Sequence, residues 1–185
     1  MTFKRILLFC SFTWLFFLAS ACSNQTMEEA KKEVASTDLS DEHIDGMNVG
    51  MFMTDDSFGR RFEDIERYPA NDQYADQRNY DQYWNEDFIW SVDRHTMEVL
   101  QIWILEENDT SANSKGIKRG SPIEDIITLY GENYYTYEDH EQLIFMMGFV
   151  DHQNNLDLSF IHDEKNVTGI SLSYAFDRMK WETEE

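Results

Sequence analysis

The strongest constraint on this chain is that it comes close to repeating itself. Gly120-Ser121-Pro122-Ile123-Glu124-Asp125-Ile126 shares the pattern Gly-x-x-apolar-Glu-Asp-Ile with Gly59-Arg60-Arg61-Phe62-Glu63-Asp64-Ile65, 61 residues earlier. Farther on the spacing becomes 68: Phe88, Trp90 and Val92 are matched by Leu156, Leu158 and Phe160, and Val99, Ile102 and Ile104 by Val167, Ile170 and Leu172. The change of spacing predicts seven extra residues in the first copy, in Pro69 to Arg78, where Asp, Gln and Asn suit a loop.

In the second copy, Ser121 before Pro122, with Glu124 and Asp125 next, is a helix start: Ser as N-cap, Pro at the first helical position and acids facing the positive end of the dipole. Ile123, Ile126, Ile127 and Tyr130 share one helical face, and Gly131 ends it. Three apolar runs follow, Leu143–Val150, Leu156–Ile161 and Val167–Tyr174. In the last two, apolar residues alternate with Asp157, Ser159, Ser171 and Ser173, the period of a strand with one wet face. The polar connections Asp151–Asn155 and His162–Asn166 are short enough for hairpins. The expected fold is therefore α+β: two tandem units, each a helix followed by an antiparallel meander, joined or packed into one domain.

The run Lys115-Gly116-Ile117-Lys118-Arg119-Gly120, a short helix ending at Tyr130-Gly131 and three strands with Val167 and Ile170 in the last resemble a unit of the SmpA/OmlA-type envelope lipoproteins. The beta-lactamase inhibitory proteins, which carry two such units in tandem, and the surface domains associated with CAP domains are also similar. The resemblance covers Ile117 to Tyr174 and extends weakly to the first copy, where Asp55-Asp56 stand in place of Gly116-Ile117. It implies a protein that binds other proteins and is not an enzyme.

The N-terminus points to export. Lys4 and Arg5 precede a mostly apolar run of 16 residues, Ile6 to Ala21, shorter than the roughly 20 that span a bilayer as a helix. It ends Leu18-Ala19-Ser20-Ala21-Cys22, a small residue before the cysteine that lipoprotein signal peptidase requires. Ala19-Ser20-Ala21 also suits ordinary signal peptidase, giving a free secreted protein, and an uncleaved anchor is a third alternative. The lipoprotein reading makes 1–21 the signal peptide and Cys22 the lipidated residue, and Cys10 leaves with the signal. No cysteine then remains for a disulfide, so the exported domain rests on its apolar core, with a Gram-positive host favoured. Residues 22–46, with Glu28, Glu29, Lys31, Lys32 and Glu33 and little to bury, are expected as a flexible acidic tether, with a short unpacked helix over Thr26 to Ala35. Units 47–113 and 114–185 complete the chain. Losing Lys4 and Arg5 takes the net charge from −21 to −23, which repels nucleic acid and anionic headgroups. The expected partners are the membrane through the lipid anchor and an envelope or secreted protein, with no nucleic acid.

No motif in the chain carries catalysis. Of the five histidines, His43 falls in the tether, His95 and His162 in matching hairpin turns, and His140 has no zinc-protease partner. His152 and His162 stand at opposite ends of one strand, roughly 30 Å apart, too far to share a metal. Asp55-Asp56, Glu106-Glu107 and Asp163-Glu164 are acidic pairs without the spacing of a calcium loop. Asp151-x-Gln153-x-Asn155-x-Asp157 alternates oxygen ligands but is accounted for as a hairpin turn. There is no Gly-x-Ser-x-Gly nucleophile elbow and no glycine-rich phosphate loop. No catalytic residue, metal ligand or cofactor is assigned. The remaining alternative to a binding protein is an envelope hydrolase or cation-dependent enzyme using surface carboxylates.

The aromatic residues give the candidate site. Opposite Ile170 and Leu172 the second copy shows Ser171 and Ser173, whereas the first copy shows Trp103 and Leu105, with Ile89 in place of Asp157. The first copy's sheet is apolar on both sides. Its second face either packs against the other copy or its helix, or forms a partner surface of Ile89, Trp103 and Leu105 rimmed by Tyr80, Tyr83 and Trp84, because Trp and Tyr anchor interfaces with few rotors.

Overall fold

Among the described residues the chain forms eight strands, all paired antiparallel in one sheet. The structure is a computed structural model that describes residues 26–181 apart from Glu63, Glu106 and Gln142. Its elements are helix α1 (Met27–Glu33), α2 (Asp56–Arg61), β1 (Glu66–Arg67), a 3-10 helix (Asn71–Gln77), β2 (Tyr80–Trp84), β3 (Phe88–Asp93), β4 (Val99–Ile104), α3 (Ile123–Tyr130), β5 (Tyr135–Asp139), β6 (Ile144–Asp151), β7 (Leu156–His162) and β8 (Val167–Tyr174). The strand order is β1-β2-β3-β4-β8-β7-β6-β5. Two meanders therefore meet edge to edge at their last strands, through Gln101↔Ser173, Ile102↔Leu172 and Trp103↔Ser171.

The expected α+β class does not hold: the fold is mainly β, one continuous sheet with three short helices among the described residues. The helix-start signals are local and set no length. Gly131, at φ 88, stops α3 after 8 residues, and α2 ends after 6. Pro122 is itself the N-cap of α3, without a side-chain cap bond, while the Ser121 hydroxyl accepts from the Lys118 N–H at 3.1 Å. Strand pairing meanwhile extends to β2 and β5, segments that lie outside the clear apolar runs.

The 61-residue match is also not a structural equivalence. Gly59 lies inside α2 whereas Gly120 precedes α3, and Asp64 lies beyond the end of α2, with Glu63 outside the described residues. The bonds that do correspond lie earlier. Gly50 N–H donates to Val99 and Val99 N–H to Met51, as Gly120 N–H donates to Val167 and Val167 N–H to Ser121. Met53 N–H donates to Met97 as Ile123 N–H does to Lys165. The bridge Phe52↔Glu98 matches Pro122↔Asn166. The first-half counterpart of Gly116-Ile117-Lys118-Arg119-Gly120 is thus Gly46-Met47-Asn48-Val49-Gly50, with all four glycines at positive φ and both Met47 and Ile117 buried. Asp55-Asp56 do not stand at that place; they begin α2.

The two faces of the sheet differ. On the inner face, α2 places Phe58 and Phe62 on Trp90, ring centroids 5.6 Å apart in each case, and α3 places Tyr130 on Phe149 at 5.1 Å. Leu39, Ile44 and Met47 complete this core, with Met47 sulfur 3.3 Å from the Trp90 indole nitrogen. Leu39 and Ile44 fall within the residues expected as a flexible tether, which are instead folded from Thr26 onward. On the outer face α1 packs Met27, Ala30 and Val34 against Tyr135, Met146 and Val150. Thr26 and Glu29 form a capping box, and Lys31 reaches buried Asp157 at 2.9 Å. The apolar spacing of Met27, Ala30 and Val34 is that of a helix with one packed side; its partner surface exists only once β5, β6 and β7 are assembled.

Candidate outer-face apolar band

Cross-strand pairing fixes which candidate residues meet. Trp84 stands opposite Ile89, Ile89 opposite Trp103, and Trp103 opposite Ser171, so the first three form one row on the outer face. Leu105 continues that side two residues beyond Trp103, and its N–H donates to Asp87 at 3.0 Å. All four are half-buried. Gly169 on β8 leaves room for the Trp103 ring, which lies 3.6 Å from the place a Cβ would occupy, and Ile161 stands beyond it. An apolar band therefore runs from Trp84 through Ile89, Trp103 and Gly169 to Ile161, where the residues under α1 begin. Sequence reasoning misses Gly169 and Ile161, because a glycine and a strand-end isoleucine carry no signal until register aligns them with Trp103.

Two proposed rim residues lie elsewhere. Tyr83 is on the inner face, packed against the core, because it alternates with Trp84. Tyr80 shares the outer face but is buried at its far end, its hydroxyl accepting from the Trp181 indole at 2.9 Å and its ring under the Arg78 guanidinium. Trp84 does rim the band, edge-on to Tyr68 at 5.9 Å, and its indole N–H is buried without an acceptor. The halves join through β4 and β8 backbone bonds, and Trp103 touches the second half from the side, at Gly169.

A polar row borders the band. Ser91 donates to Gln101, and Gln101 to Ser171, at 3.2 and 3.1 Å. Asp157 accepts from Tyr135 at 2.8 Å as well as from Lys31. Burial and that carboxylate push the Tyr135 phenol above its usual range. Acidic residues ring the opposite border: Glu66 faces Trp84 across β1–β2, and Glu86, Asp87 and Glu107 are exposed near Leu105.

The other candidate groups are internally engaged. Asp151 accepts from Gln153 and Asn154 backbone N–H groups on one oxygen and from Leu39 N–H on the other, closing the hairpin. His152 packs its ring on Phe176, with Nε2 2.9 Å from the Val34 carbonyl. His43 Nδ1 accepts from Gly46 N–H at 3.0 Å. Burial pushes the His162 imidazole below its usual value against the pull of Asp163, Glu164 and Glu138. Among the described residues no group of three or more His, Cys, Asp or Glu is placed to hold a metal ion. Cys22 lies outside the described residues. Comparison with protein-family models, curated proteins and solved structures found no match.

Proposed function

We propose that this chain is an envelope lipoprotein, anchored through Cys22 on the extracytoplasmic face of a membrane, that binds a protein partner on the outer-face band. The observation that carries this reading is the row Trp84–Ile89–Trp103, three large apolar side chains aligned on the outer sheet face and only half-buried there. A soluble protein rarely leaves joined aromatic and aliphatic side chains open without a use for them. The acidic border at Glu66, Glu86, Asp87 and Glu107 suits a partner with an apolar centre and a basic rim, and the charge of −23 left after loss of Lys4 and Arg5 would speed its approach.

Two further points support the reading. The lead-in bonds shared by Gly46–Met53 and Gly116–Ile123 favour tandem units similar to those of the SmpA/OmlA-type and beta-lactamase inhibitory proteins, which act by binding. Asp55-Asp56 begin α2 and Asp163-Glu164 sit in the β7–β8 hairpin turn, far apart in the fold, which favours binding over the hydrolase alternative. No described helix is long and apolar enough to cross a membrane.

A photo-crosslinking residue at position 89 in the full chain, expressed in its own cells, tests the proposal. The same species should be captured there but not from position 129 on α3, and high salt should weaken capture. Equal capture at both positions, or none at 89, would reject the band as the site.

A further inference from the structure

The chain between the proposed lipid and the folded part is very short. Thr26 caps α1, and Cys22 stands only four residues before it. Extended chain covers about 3.3–3.6 Å per residue, so Thr26 lies within about 14 Å of the Cys22 backbone. Helix α1 does not supply slack. It is held by Lys31 on Asp157, by Val34 on His152, and by the Thr37 N–H donated to Val150 at 2.8 Å.

A cleft of about 620 Å³ opens beside the first turn of α1, between Met27 and Glu28 on one side and Phe176, Met179 and Trp181 on the other. Trp181 is 51% exposed, and its ring lies 5.6 Å from that of Tyr74, itself 39% exposed. Trp and Tyr, apolar in body and polar at the tip, settle at the headgroup level of bilayers, and a neighbouring Lys180 can extend its stem over them. The Trp181 indole is pre-oriented by its bond to Tyr80, and segment 175–181 is tied to the sheet by the Arg78↔Trp181 bridge.

We propose that the edge formed by the first turn of α1, segment 175–181 and Tyr74 rests against the lipid headgroup region, so that the anchored protein is held in one orientation close to the bilayer. This inference rests on the reading of Cys22 as the lipid anchor. The anchor end of α1 lies on the same sheet face as Trp103, so a partner on the band meets the protein near the membrane. A chain this acidic is repelled by anionic headgroups, and the edge itself mixes Glu28, Lys31, Asp177 and Lys180 with Met27, Met179 and Trp181, so the contact suits a zwitterionic headgroup layer.

Site-specific fluorescence tests the orientation. In the lipidated mature chain Cys10 has left with the signal and the Cys22 thiol is consumed, so one introduced cysteine takes an NBD label. Lys180→Cys reports the proposed contact, Glu28→Cys repeats it on α1, and Leu129→Cys reports the opposite sheet face. The intact lipoprotein is inserted into phosphatidylcholine vesicles with and without doxyl-labelled lipid. Loss of NBD emission at 180 and 28, but not at 129, is expected. Equal loss at all three positions, or loss only at 129, with lipid confirmed on Cys22 by mass spectrometry, overturns the orientation and leaves the anchor standing. Absence of lipid on Cys22 overturns both.

Discussion

Gly50 and Gly120 hold the same place in the two halves: each donates its backbone N–H to a valine, Val99 or Val167, at 2.8 Å, and each has φ above +80°. An L side chain in that conformation costs about 1–2 kcal/mol. At Gly120 nothing lies within 4 Å of the place a Cβ would take, so Gly120→Ala should lose only that strain. At Gly50 the Tyr174 hydroxyl stands 3.1 Å from that place, and its bond to Glu98 is at risk, so Gly50→Ala should lose more. Denaturant titration of both variants measures the difference; equal losses would mean that Tyr174 yields freely.

This correspondence is hidden in the sequence for a physical reason. What repeats is a backbone conformation and a buried apolar residue, Gly46-Met47 and Gly116-Ile117, with the intervening side chains free to differ. The more visible Gly-x-x-apolar-Glu-Asp-Ile match draws attention to surface residues that the structure uses differently. Strands β3, β4, β6, β7 and β8 are legible because each is an apolar or alternating run of six or more residues beside a core. β5, Tyr-Thr-Tyr-Glu-Asp, is not, since its one fully buried side chain, Tyr135, points to the outer face under α1. Half of the site is legible for a related reason: Trp103 and Ile89 stand where the second half has Ser171 and Asp157, whereas the faces of Tyr80 and Tyr83 depend on a β2 register that only pairing defines.

Acid should loosen the link between the first residues of the fold and the β6–β7 hairpin. Burial by itself would raise the Asp151 carboxyl, but hydrogen bonds from Asn154, Leu39 and Gln153 outweigh it and hold it below the usual carboxylate range. A depressed pKa contributes stability above the unfolded value, near 4, that is lost as pH falls through the folded value. Asp81 and Asp93 are shifted in the same direction. Stability should therefore drop below about pH 4. Asp151→Asn, which turns an amide towards donors that need an acceptor, should cost about 2 kcal/mol at neutral pH and flatten the acid limb. A variant with an unchanged pH profile would show that Asp151 does not set it.

The hold on α1 depends on a missing side chain. Tyr135 lies across Gly148 so closely that a Cβ there would sit 2.3 Å from its ring. Gly148→Ala must push Tyr135 away from Asp157, and with it the carboxylate that grips Lys31. Overpacking of this kind costs about 1–3 kcal/mol. Beyond the stability loss, trypsin should cut faster at Lys31 and Lys32 in the variant. Unchanged cutting, with stability lowered, would mean that α1 is held by Met27, Ala30 and Val34 alone.

Trp103 and Trp90 stand on opposite faces of neighbouring strands and should respond differently to deletion. Trp90 is fully buried among Phe58, Phe62 and Phe88, so Trp90→Ala should cost the about 3–5 kcal/mol typical of a core aromatic. Trp103 is half-buried, covering Gly169 and neighbouring Ile161, with one side of the band open. Removing it forfeits part of a transfer free energy and leaves a surface dent that water fills, without a sealed cavity, so a loss of about 1–2 kcal/mol is expected. The halves are joined by β4–β8 backbone bonds that this substitution leaves in place, so the unfolding transition should remain single and equally steep in denaturant. Partner capture at position 89 should nevertheless be lost, because a half-buried tryptophan at the centre of an apolar row can bury its remaining surface in an interface. Titration of Trp103→Ala decides the point: a loss as large as that of Trp90→Ala would make Trp103 a core residue and remove the central anchor from the proposed site.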